Sequence, residues 1–135
     1  MGHISFNPAA KSIFLRLKIS SINADTSRDV LVALDTGAST TMIPTEVATH
    51  LGYDLSNPNE QMMTASGIVS AKRITVPKLT AIGETVENID VVCHDLPEGS
   101  IIEGLLGLNF LKHFDLNISF SRGTIELNSI NTIPR

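Results

Sequence analysis

The sequence holds a single cysteine, Cys93, so no disulfide can form within the chain and a reducing compartment is the default expectation. No apolar run approaches the length of a membrane-spanning helix. The first residues, Met1-Gly2-His3-Ile4-Ser5-Phe6, lack the charged and apolar regions of a signal peptide, and Phe6 stands where N-myristoylation needs Ser or Thr. These absences predict a cytoplasmic protein, or a soluble domain of a longer one. Without a secretory signal, the glycosylation pattern of Asn117-Ile118-Ser119 has no consequence. An excess of positive charge is missing too: the net charge of −4 argues against nucleic acid or an anionic membrane surface as partner. His3, His50, His94 and His113 show no ligand spacing with Cys93 or with one another, so no metal is expected. Repeats and low-complexity segments are also absent. What remains is a chain of 135 residues, 42% hydrophobic, suited to one compact domain over residues 1–135 with no room for a second comparable lobe.

The most informative stretch is Val30-Leu31-Val32-Ala33-Leu34-Asp35-Thr36-Gly37-Ala38-Ser39. Residues 30–34 read as a strand apolar on both faces, hence buried. Buried strands seldom end on an unpaired acid, yet this one delivers Asp35 into a turn of small residues and hydroxyls. Thr36, Gly37 and Ser39 can supply donors around the carboxylate, and Gly37 lets the backbone turn sharply. Asp35 is therefore expected to be held in place rather than merely solvated.

Around this stretch the pattern is of short strands. Residues 12–19 alternate in their second half, and 20–29 are polar and turn-forming, so a hairpin is expected with the strand that leads to Asp35. Residues 40–43 form a short strand. Pro44 introduces a helix that Thr45 can cap, with Val47, Ala48 and Leu51 on one side and Gly52 at its end. Residues 54–59 are a loop. Residues 60–76 read as two strands joined near Thr64-Ala65-Ser66-Gly67, where Gly67 permits a positive φ. Residues 78–83 and 85–94 give two more, with Cys93 a buried small hydrophobe, and 95–103 is a loop. Asn109 is a candidate cap for a short helix over 109–112. Residues 114–120 and 124–127 form a terminal hairpin turned at Ser121-Arg122-Gly123. Lys72, Arg73 and Lys78 read as solvated strand faces. Many short strands with one or two short helices predict a closed or nearly closed all-β domain.

Ala33-Leu34-Asp35-Thr36-Gly37-Ala38-Ser39 resembles the active-site loop of aspartic proteases, and Gly104-Leu105-Leu106-Gly107-Leu108-Asn109-Phe110-Leu111 resembles their second signature. The two occur in the right order with a hairpin-like segment between them. The likeness runs over about residues 11–127 and is greatest to the retroviral-type, single-lobe (retropepsin-like) branch. It implies an all-β, closed barrel-like acid-protease fold with a flap hairpin, and an aspartic endopeptidase without metal or organic cofactor. It assigns Asp35 as the shared acid and base, Thr36 as the hydroxyl bracing two loops, Gly37 as a backbone contact and Ala38 as the residue that keeps the groove open. Gly104, Leu105, Leu106 and Gly107 would pack beneath, with Asn109 following, and Met62, Met63, Thr64, Ala65, Ser66 and Gly67 would lie in a flap over an extended peptide or protein substrate.

Peptide hydrolysis by this chemistry needs two carboxyl groups beside one water, sharing one proton; aspartic proteases are themselves the standard example of such split titration. The chain has one Asp-Thr-Gly, and the nearest imitation, Asp25-Thr26-Ser27, lacks the glycine. A symmetric homodimer in which each subunit contributes Asp35 is the simplest resolution. The sequence departs from retroviral enzymes at two linked places: Ser39 and Leu108 stand where those usually carry an ion-paired Asp and Arg. A non-catalytic dimerisation or peptide-binding module on the same fold is the alternative, since fold does not guarantee chemistry. Self-processing of a longer precursor is a third.

Overall fold

The computed structural model describes residues 2–130. Its first hairpin follows from alternation: in β2 (Phe14–Ser20) Leu15, Leu17 and Ile19 are buried while Arg16 and Lys18 face out. It pairs antiparallel with β3 (Ser27–Leu34), Phe14 opposite Ala33 and Ser20 opposite Ser27. In the connecting turn the Ser21 hydroxyl donates to Asp25 Oδ1 at 2.7 Å, which gives Asp25 a local structural partner.

The sheet then closes on itself. Strand β3 runs parallel to β8 (Gly104–Leu106), β8 meets β4 (Met42–Ile43), β4 runs parallel to β7 (Glu84–Cys93), and β7 pairs antiparallel with β6 (Gly67–Ala81). The end of β6 returns to β2 at Leu17–Ala81, Lys18–Thr80 and Ile19–Leu79, so six strands form a closed barrel. Closure removes the free edges that an open sheet would present. Leu17, Ile19, Val30, Val32, Ile43, Val76, Leu79 and Leu106 fill the interior, all with essentially no exposure. The remaining strand, β5 (Glu60–Thr64), pairs only with β6 and extends the barrel wall as a hairpin.

One expected break is absent. Residues 60–76 and 78–83 were separable by Pro77, yet β6 is continuous over fifteen residues. Pro77 has no N–H to give, and the register passes from Val76–Ile89 to Lys78–Glu87 without pairing it. The facing Asn88 takes φ +52°. A local irregularity on β7 thus accommodates the proline.

Two helices pack on the barrel, α1 (Thr45–His50) and α2 (Leu108–Leu111). Thr45 does not act as the N-cap of α1. The carboxylate of Asp95, fifty residues on, accepts its backbone N–H at 2.9 Å and its hydroxyl at 2.8 Å, so the 95–103 loop does the capping. Gly52 follows α1 with φ +95°, as expected of a helix end. A second, three-stranded sheet has the order β1 (Gly2–Ser5), β10 (Thr124–Ser129), β9 (Phe114–Ser119), all antiparallel. Its central strand buries Ile125 and Leu127 in the same core as Phe110 of α2. The N-terminal segment thus pairs within its own chain, and residues 131–135 lie outside those described.

Cys93 is buried, and burial first, then the Asp95 charge, pushes its thiol up to about 12. Tyr53 is 6% exposed, and its hydroxyl donates to the Ser20 carbonyl at 2.8 Å, tying the end of α1 to the end of β2. Tyr53→Phe leaves that carbonyl without its partner, and we expect about 1–2 kcal/mol lost in urea unfolding.

Candidate active site

Asp35 is the residue at which β3 leaves the barrel. Three neighbours fix it there: Leu34 N–H donates to Ile13 O at 2.9 Å, Asp35 N–H to Leu106 O at 3.0 Å, and Ala38 N–H to Asp35 O at 3.2 Å. The carboxylate is half-buried and its Oδ1 accepts the Gly37 N–H at 2.9 Å. Thr36 and Ser39 were further candidate donors, but both are exposed and neither bonds Asp35. A Cβ on Gly37 would lie 3.2 Å from Asp35 Oδ1, so a small residue keeps the carboxylate face clear.

The second signature lies against this loop. Leu108 N–H donates to Ala38 O at 2.8 Å, and Asn109 N–H to Ser39 O at 3.2 Å. The glycines allow the approach: a Cβ on Gly104 would sit 2.1 Å from Met42 O, and one on Gly107 would sit 2.9 Å from Ala38 O, both against backbone. Ser39 and Leu108 are thus linked through main-chain bonds of their neighbourhood rather than through a charged pair.

Sequence reasoning missed Thr41. It is fully buried, and its hydroxyl accepts the Gly107 N–H at 3.0 Å while donating to Asn109 Oδ1 at 2.9 Å. Asn109 Oδ1 also accepts the Thr41 N–H at 2.9 Å, and Asn109 Nδ2 donates to the Asp90 carbonyl at 2.6 Å. Asn109 is therefore a cross-link between three distant segments, not the helix cap; α2 begins after Gly107 without any side-chain cap. The only signal in the sequence was a hydroxyl among the three of Ser39-Thr40-Thr41, which nothing local distinguishes.

Between this floor and the β5–β6 hairpin lies a cleft of about 470 Å³, lined by Gly37, Ala38, Ser39, Thr40, Met42 and Leu105 below and by Glu60, Gln61, Met62 and Met63 above, with Arg73 and Val92. Met62 is half-buried and Met63 is 78% exposed. Thr64, Ala65, Ser66 and Gly67 do not line the cleft; they make the hairpin tip, where Gly67 takes φ +117° and the Thr64 hydroxyl donates to Gly67 O at 2.8 Å. On the other side of the loop a second cleft of about 420 Å³ is lined by Asp35 itself with Phe6, Lys11, Ile13, Leu34 and Phe120.

Arg73 and Lys72 are not simply solvated. Arg73 pairs with Glu60 across the hairpin and reaches Asp90 Oδ2 at 3.6 Å, and Lys72 donates to the Ser56 and Asn57 carbonyls at 3.0 and 3.1 Å. The Arg73 hydrogen bond holds the Glu60 carboxyl below its ordinary range. No group of three or more His, Cys, Asp or Glu among the described residues is placed to hold a metal ion. No helix among them is long and apolar enough to cross a membrane.

A barrel that closes under an Asp-Thr-Gly loop, with a glycine-bounded apolar segment packed beneath it, defines an aspartic protease architecture. The sequence profile described as "gag-polyprotein putative aspartyl protease" matches residues 21–113. The chain belongs to that family, the retropepsin-like aspartic proteases. Among solved structures, a retropepsin-like aspartic protease from Rickettsia conorii is 26% identical, with a TM-score of 0.69 over 94% of this chain and 89% of that one. EIAV protease complexed with the inhibitor HBY-793 has the same fold at 21% identity, with a TM-score of 0.57 over 81% of this chain and 92% of that one. No curated protein sequence matches significantly. Family and fold support a peptidase.

Two outcomes test this packing. Thr41→Val strands the Gly107 N–H and one bond of Asn109, and should cost about 2–3 kcal/mol in denaturant unfolding, while Thr41→Ser retains most of it. Because the Glu60 carboxyl is depressed when folded, its contribution is present above the unfolded glutamate range and fades as pH falls through the lower, folded value. Proteolytic nicking of the β5–β6 hairpin should therefore rise in that acidic window, and Arg73→Met should abolish the pH dependence.

Proposed function

We propose that the protein is an aspartic endopeptidase in which the Asp35 carboxyls of two chains activate one water against a peptide carbonyl. The observation that carries this reading is the placement of a single half-buried carboxylate, oriented by the Gly37 N–H, beside a cleft roofed by a hairpin. Hydrolysis by a carboxyl pair needs a partner able to share a proton. Glu60 is the one other acid lining the clefts beside Asp35, and its pairing with Arg73 keeps it ionised and occupied. A second copy of the chain supplies the missing carboxyl by symmetry.

In this reading Thr36, exposed and without a hydrogen bond among the described residues, braces its counterpart across the axis. Gly37 offers its backbone to the dyad or substrate, and Ala38 leaves room for the chain. Gly104 to Gly107, with Thr41 and Asn109, hold the loop from below. Residues 60–71 act as the flap, Met62 and Met63 giving adaptable apolar contact to an extended peptide. One carboxyl of the pair takes a proton from the water as the other donates to the substrate carbonyl. The charge never accumulates on both acids at once.

Cleavage of a mixed peptide library between about pH 3 and 8 should peak on the acid side of neutrality, where one proton is shared. Asp35→Asn should lower it by about a thousandfold or more with the fold intact. Specific activity of the wild type should rise with protein concentration and then level off. Tight peptide binding without hydrolysis at any pH would instead identify a non-catalytic binding module on the same fold.

A further inference from the structure

The cleft beneath the β5–β6 hairpin is apolar inside and charged at one point of its rim. Met42, Met62, Val92 and Leu105 give it apolar walls, and among the described residues Glu60 and Arg73 are the charged members of its lining. Arg73 is shared between two acids: Nη2 bonds Glu60 Oε2, and Nη1 lies 3.6 Å from Oδ2 of Asp90, which belongs to the adjoining cleft. One guanidinium against two carboxylates leaves a surplus of negative charge there. Lys72 does not correct it, because its neighbouring position on β6 faces the other way and its ammonium is spent on the Ser56 and Asn57 carbonyls. Nor does the ion pair use up Glu60. Its side chain is 28% exposed, and Oε1 makes no hydrogen bond among the described residues. The side chains of Ser39, Thr40 and Gln61, which line the same cleft, make none either.

We propose that this cleft selects peptides bearing a lysine or arginine, the side-chain stem lying on Met42, Met62 and Leu105 and the cationic tip reaching Glu60 Oε1. The proposal rests on the reading of the cleft as the place where a substrate peptide lies, and it names the class of peptide. A long basic side chain is apolar along its stem and charged at its end, the same order in which the cleft presents its walls and its rim. An acidic side chain meets the opposite case, since Arg73 already answers two carboxylates and has no charge left for a third. The hydroxyl oxygens of Ser39 and Thr40 are further acceptors for an ammonium or guanidinium, which has several N–H groups to place. The hydrogen bond from Arg73 keeps Glu60 charged on the acid side of neutrality, where a carboxyl pair works. The net charge of −4 draws cationic peptides toward the chain from solution.

The probe is a set of short fluorescein-labelled peptides with an apolar host sequence, in which one position at a time holds Lys, Gln or Glu. Cleavage by the full chain, and binding to its Asp35→Asn variant by fluorescence anisotropy, are measured at about pH 5.5, where substrate and protein carboxyls are ionised. The readout is the Lys-to-Glu preference within each protein, so a general loss of activity or of folded material cancels. At one peptide position the wild type should favour Lys over Glu about fivefold or more. Arg73→Met, which leaves both acids uncompensated, should raise that ratio; Glu60→Gln should bring it near unity, and Glu60→Lys should invert it. Cleavage with a ratio near unity at every position, or with a preference that Glu60 substitutions leave unmoved, overturns the selection and leaves the peptidase reading standing. The expected order of ratios in binding, without cleavage at any pH, upholds the selection and sinks the peptidase reading. A protein that neither cuts nor binds any peptide of the set overturns both.

Discussion

The buried hydroxyl of Thr41 is the contact on which the site depends. One oxygen accepts the Gly107 N–H, and its own O–H donates to Asn109 Oδ1, whose amide nitrogen in turn donates to the Asp90 carbonyl. Three segments far apart in the chain are thereby tied together beneath the Asp35 loop. Each polar group in this set has its partner, and no buried side-chain nitrogen or oxygen among the described residues is left unbonded. A satisfied network of this kind rigidifies; a half-satisfied one would cost more than an apolar filling. The Asp35 loop inherits its position from that rigidity, because Leu108 and Asn109 bond directly to Ala38 and Ser39.

Around the network the barrel explains why one carboxylate can be both anchored and accessible. Short parallel contacts, β3 with β8 and β4 with β7, bring strand ends rather than strand middles together at the site. Glycines at 104 and 107 permit backbone to touch backbone there, which no side-chain packing could achieve at the same distance. The hairpin above is held differently, by the Arg73–Glu60 pair and by Lys72 on the 54–59 loop, all at the surface. Floor and roof therefore differ in kind: buried neutral hydrogen bonds below, solvent-facing charges above.

Local chemistry made much of this legible. The turn at Asp35 showed because a strand apolar on both faces ended on an acid and a glycine, and the alternation of 114–120 showed because one face is half-buried. What stayed hidden depended on partners far away in the chain. Asn109 has the look of a helix cap until Thr41, 68 residues earlier, claims its side chain. Thr45 has the same look until Asp95 takes over its helix end. Pro77 suggests a break unless the facing strand is known to bend at Asn88. Arg73 reads as a solvated charge until Glu60 and Asp90 are brought alongside. Nothing in residues 39–41 marks which of three hydroxyls turns inward.

The distance along the chain between the two signatures has a consequence in time. Val32, Ala33 and Leu34 find their parallel partners only at residues 104–106, so the Asp35 loop has no floor until those residues have been made. At about 5–20 residues per second a ribosome needs several seconds to cover that interval, and such non-local pairing is slow to form afterwards. Over that interval the nascent polypeptide carries Asp35 in a loop without the strand that supports it. Formation of that floor is thus a built-in delay between the synthesis of the Asp35 loop and the moment its carboxylate acquires a fixed geometry.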